Sequence, residues 1–137
     1  MGSWCSSDGR FRVFTYNILA ENYATQERHP YVPYWALEWE YRKQRILKQL
    51  LSYKADVICL QEVESKQYHE YFEPELAALG YASIFRAKSR ARTMADSSVV
   101  DGCATFFLKA KCVSIATKSS LRCTCWHSLF YVTVSEH

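Results

Sequence analysis

An amide and a carboxylate are the two side chains of this sequence best placed to do chemistry. Asn17 closes an alternating, aromatic-rich run, and Glu62 follows the apolar run Val57-Ile58-Cys59-Leu60 and Gln61. In open α/β sheets the ligand crevice lies beyond the carboxyl ends of the strands. A carboxylate fixed there suits Mg2+, a hard ion that often takes only one or two carboxylates and completes its shell with phosphate oxygens and water. An amide beside it offers a donor and an acceptor to a phosphate or to the ion's water. Spacing alone leaves open the ordinary reading, in which a glutamate after a strand is simply solvated. A second group is basic. Arg86, Lys88, Arg90 and Arg92 alternate over 86–92, which suits sequence-independent, salt-dependent phosphate contacts and equally suits a solvated loop. A third is Cys123-x-Cys125 with His127. That spacing is not the C-x2-C of common zinc sites, and no second ligand pair stands at a suitable distance.

The elements that must position these groups follow from periodicity. Phe11 to Leu19 alternates and is rich in aromatic and branched residues, which predicts a strand. Residues 20–34, with Pro30 and Pro33, read as a loop. A helix is expected from Trp35 to Leu51, with Trp35, Trp39, Ile46 and Leu50 on its core face and Glu38 and Arg42 as an i, i+4 pair. The run 56–61 suits a strand buried on both faces. Ser65 is placed to cap a second helix carrying Tyr68, Phe72, Leu76 and Leu79, interrupted by Pro74 and ended by Gly80. Strands at Tyr81–Arg86 and Gly102–Leu108 flank a polar loop at 87–100. The order strand, helix, strand, helix, strand, loop, strand is that of an α/β fold. Four strands and two helices leave a sheet edge uncovered, which is an aggregation hazard, so the count points to a fold with part missing.

Composition bounds the answer. The chain has 137 residues, 49% hydrophobic and 15% aromatic, with a net charge of +3. That describes at most one globular domain and excludes general disorder; the charge is too small to argue for any partner. No apolar run reaches the ~18–20 residues of a membrane span, so no membrane is expected as a partner. Residues 1–10 read as a leader without a secretory core, although Gly2 and Ser6 fit the short myristoylation pattern. Without a secretory signal, the six cysteines are expected reduced, with Cys59 and Cys103 packed as small buried hydrophobes. Residues 113–137 differ from the rest: eight are Ser or Thr and only Lys118, Arg122 and Glu136 are charged. This divergent tail either supplies a strand or two or did not evolve with what precedes it.

Certain stretches go further. Phe14-Thr15-Tyr16-Asn17-Ile18-Leu19 with Leu60-Gln61-Glu62-Val63 resembles the opening of the endonuclease/exonuclease/phosphatase superfamily. Tyr23-Ala24-Thr25, Trp35-Ala36-Leu37, Trp39-Glu40-Tyr41-Arg42, Lys88-Ser89-Arg90-Ala91-Arg92-Thr93-Met94 and Asp101-Gly102-Cys103-Ala104-Thr105-Phe106-Phe107 are similar to one branch, the carbon catabolite repressor 4-type poly(A) deadenylases. The resemblance covers 11–112. It implies part of a four-layer α/β sandwich, truncated here, and a Mg2+-dependent 3′–5′ exoribonuclease that shortens mRNA poly(A) tails in cytoplasm and nucleus. It implies Glu62 as a magnesium ligand, with Asn17 beside the ion and the scissile phosphate. It implies poly(A) RNA and subunits of a deadenylase complex as partners; the leucine-rich repeats that usually reach that complex are not in these residues. The branch's later site residues, an Asp-x-Asn pair and a Ser-Asp-His motif, have no counterpart here, and His29, His69, His127 and His137 do not match the motif. The expectation is therefore an N-terminal half-domain, inactive alone; the alternative is a non-catalytic fragment that binds RNA or protein.

Overall fold

The apolar run before Glu62 becomes the axis of a sheet. Residues 12–89 and 100–111 are described by the structure, a computed structural model, together with the backbone of strands at 114–117 and 130–133. Four strands, β1 (Val13–Asn17), β2 (Val57–Glu64), β3 (Tyr81–Ala87) and β4 (Asp101–Leu108), lie in the order β1-β2-β4-β3. The β1–β2 pair is parallel, and β2–β4 and β3–β4 are antiparallel. A parallel pair needs a long crossover, which α1 (Tyr34–Leu37) and α2 (Trp39–Tyr53) provide between β1 and β2. Between β2 and β3 run α3 (Ser65–Gln67), a π-helical turn (Tyr68–Phe72) and α4 (Glu73–Ala78). The core sits between sheet and helices: Ile58, Leu60 and Val63 from β2, Ala104 and Phe106 from β4, Ile46 and Leu50 from α2, and Tyr68, Phe72 and Leu76 from the second helical stretch.

The expected α/β order is what the structure shows, with local corrections. The helix over 35–51 is two helices broken at Glu38, whose backbone is extended (ψ 132°). The carbonyl of Leu37, which would continue the helix, accepts instead from the Arg42 side chain at 2.9 Å. The guanidinium is thereby taken from the expected pairing with Glu38, and Trp35 is turned out to 58% exposure. Ser65 is not a cap: Glu64 holds the extended position before the helix and makes no side-chain cap bond. Pro74 interrupts the second helical stretch without ending it: a π-helical turn precedes it and α-helix resumes over Glu73–Ala78. With no N–H and a ring that crowds the carbonyl four residues back, it is accommodated by the preceding wide turn, in which Glu73 N–H reaches Tyr68 O. Leu79 is exposed, lying past that helix's last turn, while Gly80 (φ +88°) ends it as expected. Cys59 and Cys103 are half-buried, on the sheet face opposite the core.

In the tail, β5 (Ser114–Thr117) pairs antiparallel with β6 (Phe130–Thr133). The side chains of Cys123, Cys125 and His127, and the Gly2–Ser6 pattern, lie outside the described residues. Among the described residues no helix is long and apolar enough to cross a membrane.

One ion pair fastens both ends of this unit. Asp56, just before β2, accepts from Arg12 N at 2.8 Å and meets Lys111 Nζ at 2.7 Å. Burial alone would raise the Asp56 carboxyl, but the Lys111 and Arg12 donors outweigh it and hold it below its ordinary value. A carboxyl lowered by folding stabilises above its unfolded pKa, and that stability is lost as pH falls through the folded one. Lys111→Met is therefore expected to lower the urea midpoint at pH 7. The difference from the parent chain narrows as pH falls through the acidic range in which Asp56 takes up its proton.

Candidate active site

A parity switch in β2 sets the geometry. Ile58 and Leu60 point into the core, so strict alternation would bury Glu62 there as well. The register with β4 instead skips it: Gln61 pairs with Cys103 and Val63 with Gly102. Glu62 is the extra residue of a β-bulge, held at φ +57°, and Val63 takes the next core position. Bulges re-aim side chains beside functional sites. A non-glycine residue in this backbone region costs of order 1–3 kcal/mol, which surrounding structure must offset. Here Glu62 lies inside the strand rather than just past it, as its sequence position suggested.

The re-aimed carboxylate meets the end of β1. Asn17 Nδ2 donates to Glu62 Oε1 at 2.8 Å, and Ala20 N–H approaches Oε2 at 3.4 Å. Asn17 Oδ1 accepts from Leu19 N–H at 2.9 Å, closing a tight turn in which Leu19 also takes positive φ (+59°). The two sequence-predicted catalytic residues, forty-five positions apart, are thus one hydrogen-bonded unit.

Arg42 fixes the turn from behind. Its Nη1 donates to the carbonyls of Ile18 (3.0 Å) and Leu19 (2.7 Å) while its Nε holds Leu37. Burial pushes this guanidinium down from its ordinary value, and Glu21, Glu64 and Tyr16 oppose that. A rigid planar fork with five donors is the side chain that can bind three carbonyls at once.

Behind the turn lies a buried acidic pair that sequence reading missed. Glu64 and Asp101 face each other across β2 and β4. Glu64 accepts from Asn22 N–H at 3.0 Å; Asp101 takes the Lys88 ammonium and the Tyr23 hydroxyl (3.3 Å). Burial, followed by the charges of Glu21 and Asp101, raises the Glu64 carboxyl despite that amide. A carboxyl raised by folding opposes stability above its unfolded pKa; the opposition shrinks as pH falls through the folded pKa and is gone only below the unfolded one. Glu64→Gln keeps an acceptor for Asn22. It is expected to raise the urea midpoint at pH 7, with the gain fading toward pH 4. The sequence shows each acid singly, Glu64 two residues past Glu62 and Asp101 directly before Gly102, but not that the two meet.

Of the basic run, Arg86 is exposed near the end of β3, opposite Cys103. Lys88 is half-buried, paired with Asp101 and 5.6 Å over the Tyr23 ring, whose plane also carries Arg28 at 5.0 Å. Arg90 and Arg92 lie outside the described residues. Tyr23 belongs to the short helical turn that follows Ala20, so the start of the basic run adjoins the Asn17–Glu62 corner.

The donor set limits what could bind. Among the described residues no three His, Cys, Asp or Glu converge as a metal cage. One rigid, half-exposed carboxylate with an ordered amide beside it fits a hard cation that draws its other ligands from phosphate and water. It does not fit zinc, which takes three or four protein ligands.

Comparisons with known proteins give the family. The profile of the Endonuclease/Exonuclease/phosphatase family matches residues 14–129. The CCR4-Not complex 3′-5′-exoribonuclease subunit Ccr4 of Saccharomyces cerevisiae is 52% identical over 99 residues, which are 71% of this chain and 12% of that protein. Carbon catabolite repressor protein 4 homolog 2 of Arabidopsis thaliana is 46% identical over 101 residues, 74% of this chain and 17% of the relative. Among solved structures, the human Nocturnin catalytic domain with bound sulfate aligns at TM-score 0.59 and 35% identity, covering 78% of this chain and 36% of that one. ANGEL2, a 2′,3′-cyclic phosphatase solved with adenosine-2′,3′-vanadate, aligns at TM-score 0.65 and 31% identity, covering 77% and 30%. The chain thus spans under a fifth of these sequence relatives and about a third of these solved chains, as a partial domain does. Matched over most of its length and sharing the fold, this chain belongs to the endonuclease/exonuclease/phosphatase family, in its Ccr4-like branch.

Proposed function

We propose that this chain supplies the N-terminal half of the active site of a Mg2+-dependent 3′–5′ exoribonuclease that shortens poly(A) tails. The observation that carries the reading is the Asn17–Glu62 unit, built on a strained bulge at the carboxyl end of parallel strands. Its sequence relatives are named exoribonuclease subunits. In this reading Glu62 holds the ion, and Asn17 orients Glu62 and contacts the scissile phosphate. When bound, Mg2+ offsets charge on the phosphoryl oxygens and lowers the pKa of water beside them. The chain's own contribution is positional. The bulge keeps the carboxylate out of the core, Arg42 locks the turn that donates to it, and Arg86, Lys88, Arg90 and Arg92 attract the RNA phosphates. Residues 11–112 form this half-domain, 1–10 a leader and 113–137 a divergent tail. Poly(A) RNA is the substrate, deadenylase-complex subunits are the partners, and the work is done in cytoplasm and nucleus.

A half-site should be inactive alone. Purified chain with Mg2+ and an adenosine oligomer is expected to release no AMP. Adding the remainder of a Ccr4-type catalytic domain is expected to restore release, and Glu62→Gln in this chain to abolish it. Mg2+-dependent release by this chain alone, lost on Glu62→Ala, contradicts the half-site. A second reading, a non-catalytic fragment that binds RNA or protein, is supported by failure to complement.

A further inference from the structure

The break at Glu38 turns Trp35 out of the core and onto the outer side of α2. There the indole meets Tyr41 edge to face, with ring centroids 4.9 Å apart and planes at 90°. The Arg45 guanidinium lies 5.0 Å over the Tyr41 ring and donates to its hydroxyl. Tyr41, Arg45 and Lys48 recur at i, i+4 and i+7, so they share one exposed face of the helix. The cluster runs indole, phenol, guanidinium, with a further cation one turn on. Immediately before it, the Gln26 amide donates to the carbonyls of Pro30 (3.2 Å) and Val32 (3.0 Å). That single side chain pins the loop that presents Tyr31, 98% exposed.

These aromatics are both exposed and fixed. They are also fixed relative to Asn17, because Arg42, next to Tyr41, is the residue bonded to Ile18 and Leu19. Of the neighbouring carboxylates, Glu40 pairs with Lys43. What is exposed is the Trp35 indole, beside a partly exposed phenol and the cations of Arg45 and Lys48. Single-stranded nucleic acid is the occupant with matching chemistry, since any base stacks on an aromatic face and phosphates follow the cations. Trp, Tyr and Arg also anchor protein interfaces, so the choice rests on charge: the cations Arg45 and Lys48 line the aromatic cluster along one helix face, which favours a polyanion.

We infer that the Trp35–Tyr41–Arg45 face is a base-stacking platform for single-stranded RNA. It takes bases of the strand whose terminal phosphate reaches Glu62, and it rests on the exoribonuclease reading above. Stacking is sequence-tolerant, so the platform gives affinity for bases rather than for one sequence.

The test compares a dye-labelled adenosine 12-mer with an abasic 12-mer of equal charge by fluorescence anisotropy, using the full chain without divalent metal so that nothing is cleaved. The adenosine oligomer is expected to bind about tenfold tighter. Trp35→Ala and Tyr41→Ala are expected to bring the two affinities together, and Trp35→Phe to restore most of the preference; near-UV circular dichroism reports whether each variant is folded. Equal binding of both oligomers by the parent chain overturns the platform and leaves phosphate binding intact. A preference unchanged in folded Trp35→Ala and Tyr41→Ala also overturns it and leaves the cluster as a staple between α1 and α2. Binding of neither oligomer overturns both the platform and the RNA reading.

Discussion

Gly102→Ala is expected to remove most of the chain's cooperative stability. A Cβ at this position would stand 2.2 Å from the Arg86 carbonyl oxygen and 2.8 Å from Ala87 Cα. Both are backbone atoms of the neighbouring strand, so no side chain can move aside. Gly102 pairs with Ala87, and one residue earlier Lys88 N–H donates to Asp101 O at 3.0 Å. Relieving the clash must part β3 from β4 where the Lys88–Asp101 pair closes them. Overpacking alone costs about 1–3 kcal/mol; with the lost ladder bonds a total of about 3–5 kcal/mol is expected. Native domains have only about 5–15 kcal/mol in hand. The urea midpoint should fall by roughly 1–3 M. A fall of a few tenths would mean that β3 and β4 part easily at this end.

Arg42→Met should act nearly as strongly, and on the site as well as on the fold. Methionine keeps much of the apolar stem but offers no donor to the carbonyls of Leu37, Ile18 and Leu19. Each buried acceptor left unmet costs about 1–3 kcal/mol, less what water recovers, so a loss of about 2–4 kcal/mol is expected. The Leu19 turn, at positive φ, then relaxes, and the N–H of Ala20 leaves Glu62. The variant should therefore lose Mg2+ sensitivity even under conditions where it remains folded. Glu64→Gln is the contrasting control, since it also alters this corner but is expected to stabilise it. If Arg42→Met is both stable and metal-responsive, the guanidinium does not position the site.

Much of this was legible from spacing. The buried run at 57–60, the helix-forming residues around Ile46 and Leu50, and Gly80 as a terminator each declare themselves through local periodicity or backbone freedom. Asn17 and Glu62 were legible as strand-end groups, although nothing local says that they touch. Their hydrogen bond depends on a bulge, and a bulge is set by pairing with β4, some forty residues further along the chain. The same non-locality hid Arg42, whose i, i+4 partner Glu38 looked sufficient until the carbonyls of Ile18 and Leu19 came within reach. It also hid the Glu64–Asp101 pair, because cross-strand register is not written in either strand. Trp35 was misplaced for a related reason: helical spacing put it on the core face, and a single extended residue turned it outward.

On the proposed function, Glu62 holds a divalent cation. The most direct test is a urea titration followed by near-UV circular dichroism of the tryptophans, with and without Mg2+, on the parent chain and on Glu62→Gln. The isosteric amide can still accept from Asn17, so the bulge is kept while the charge is removed. The parent midpoint should rise with Mg2+, by about 1.4 kcal/mol of stability at ten times Kd, and the Glu62→Gln midpoint should not move. A midpoint indifferent to Mg2+ in the parent chain, or one that rises equally in both proteins, contradicts the claim.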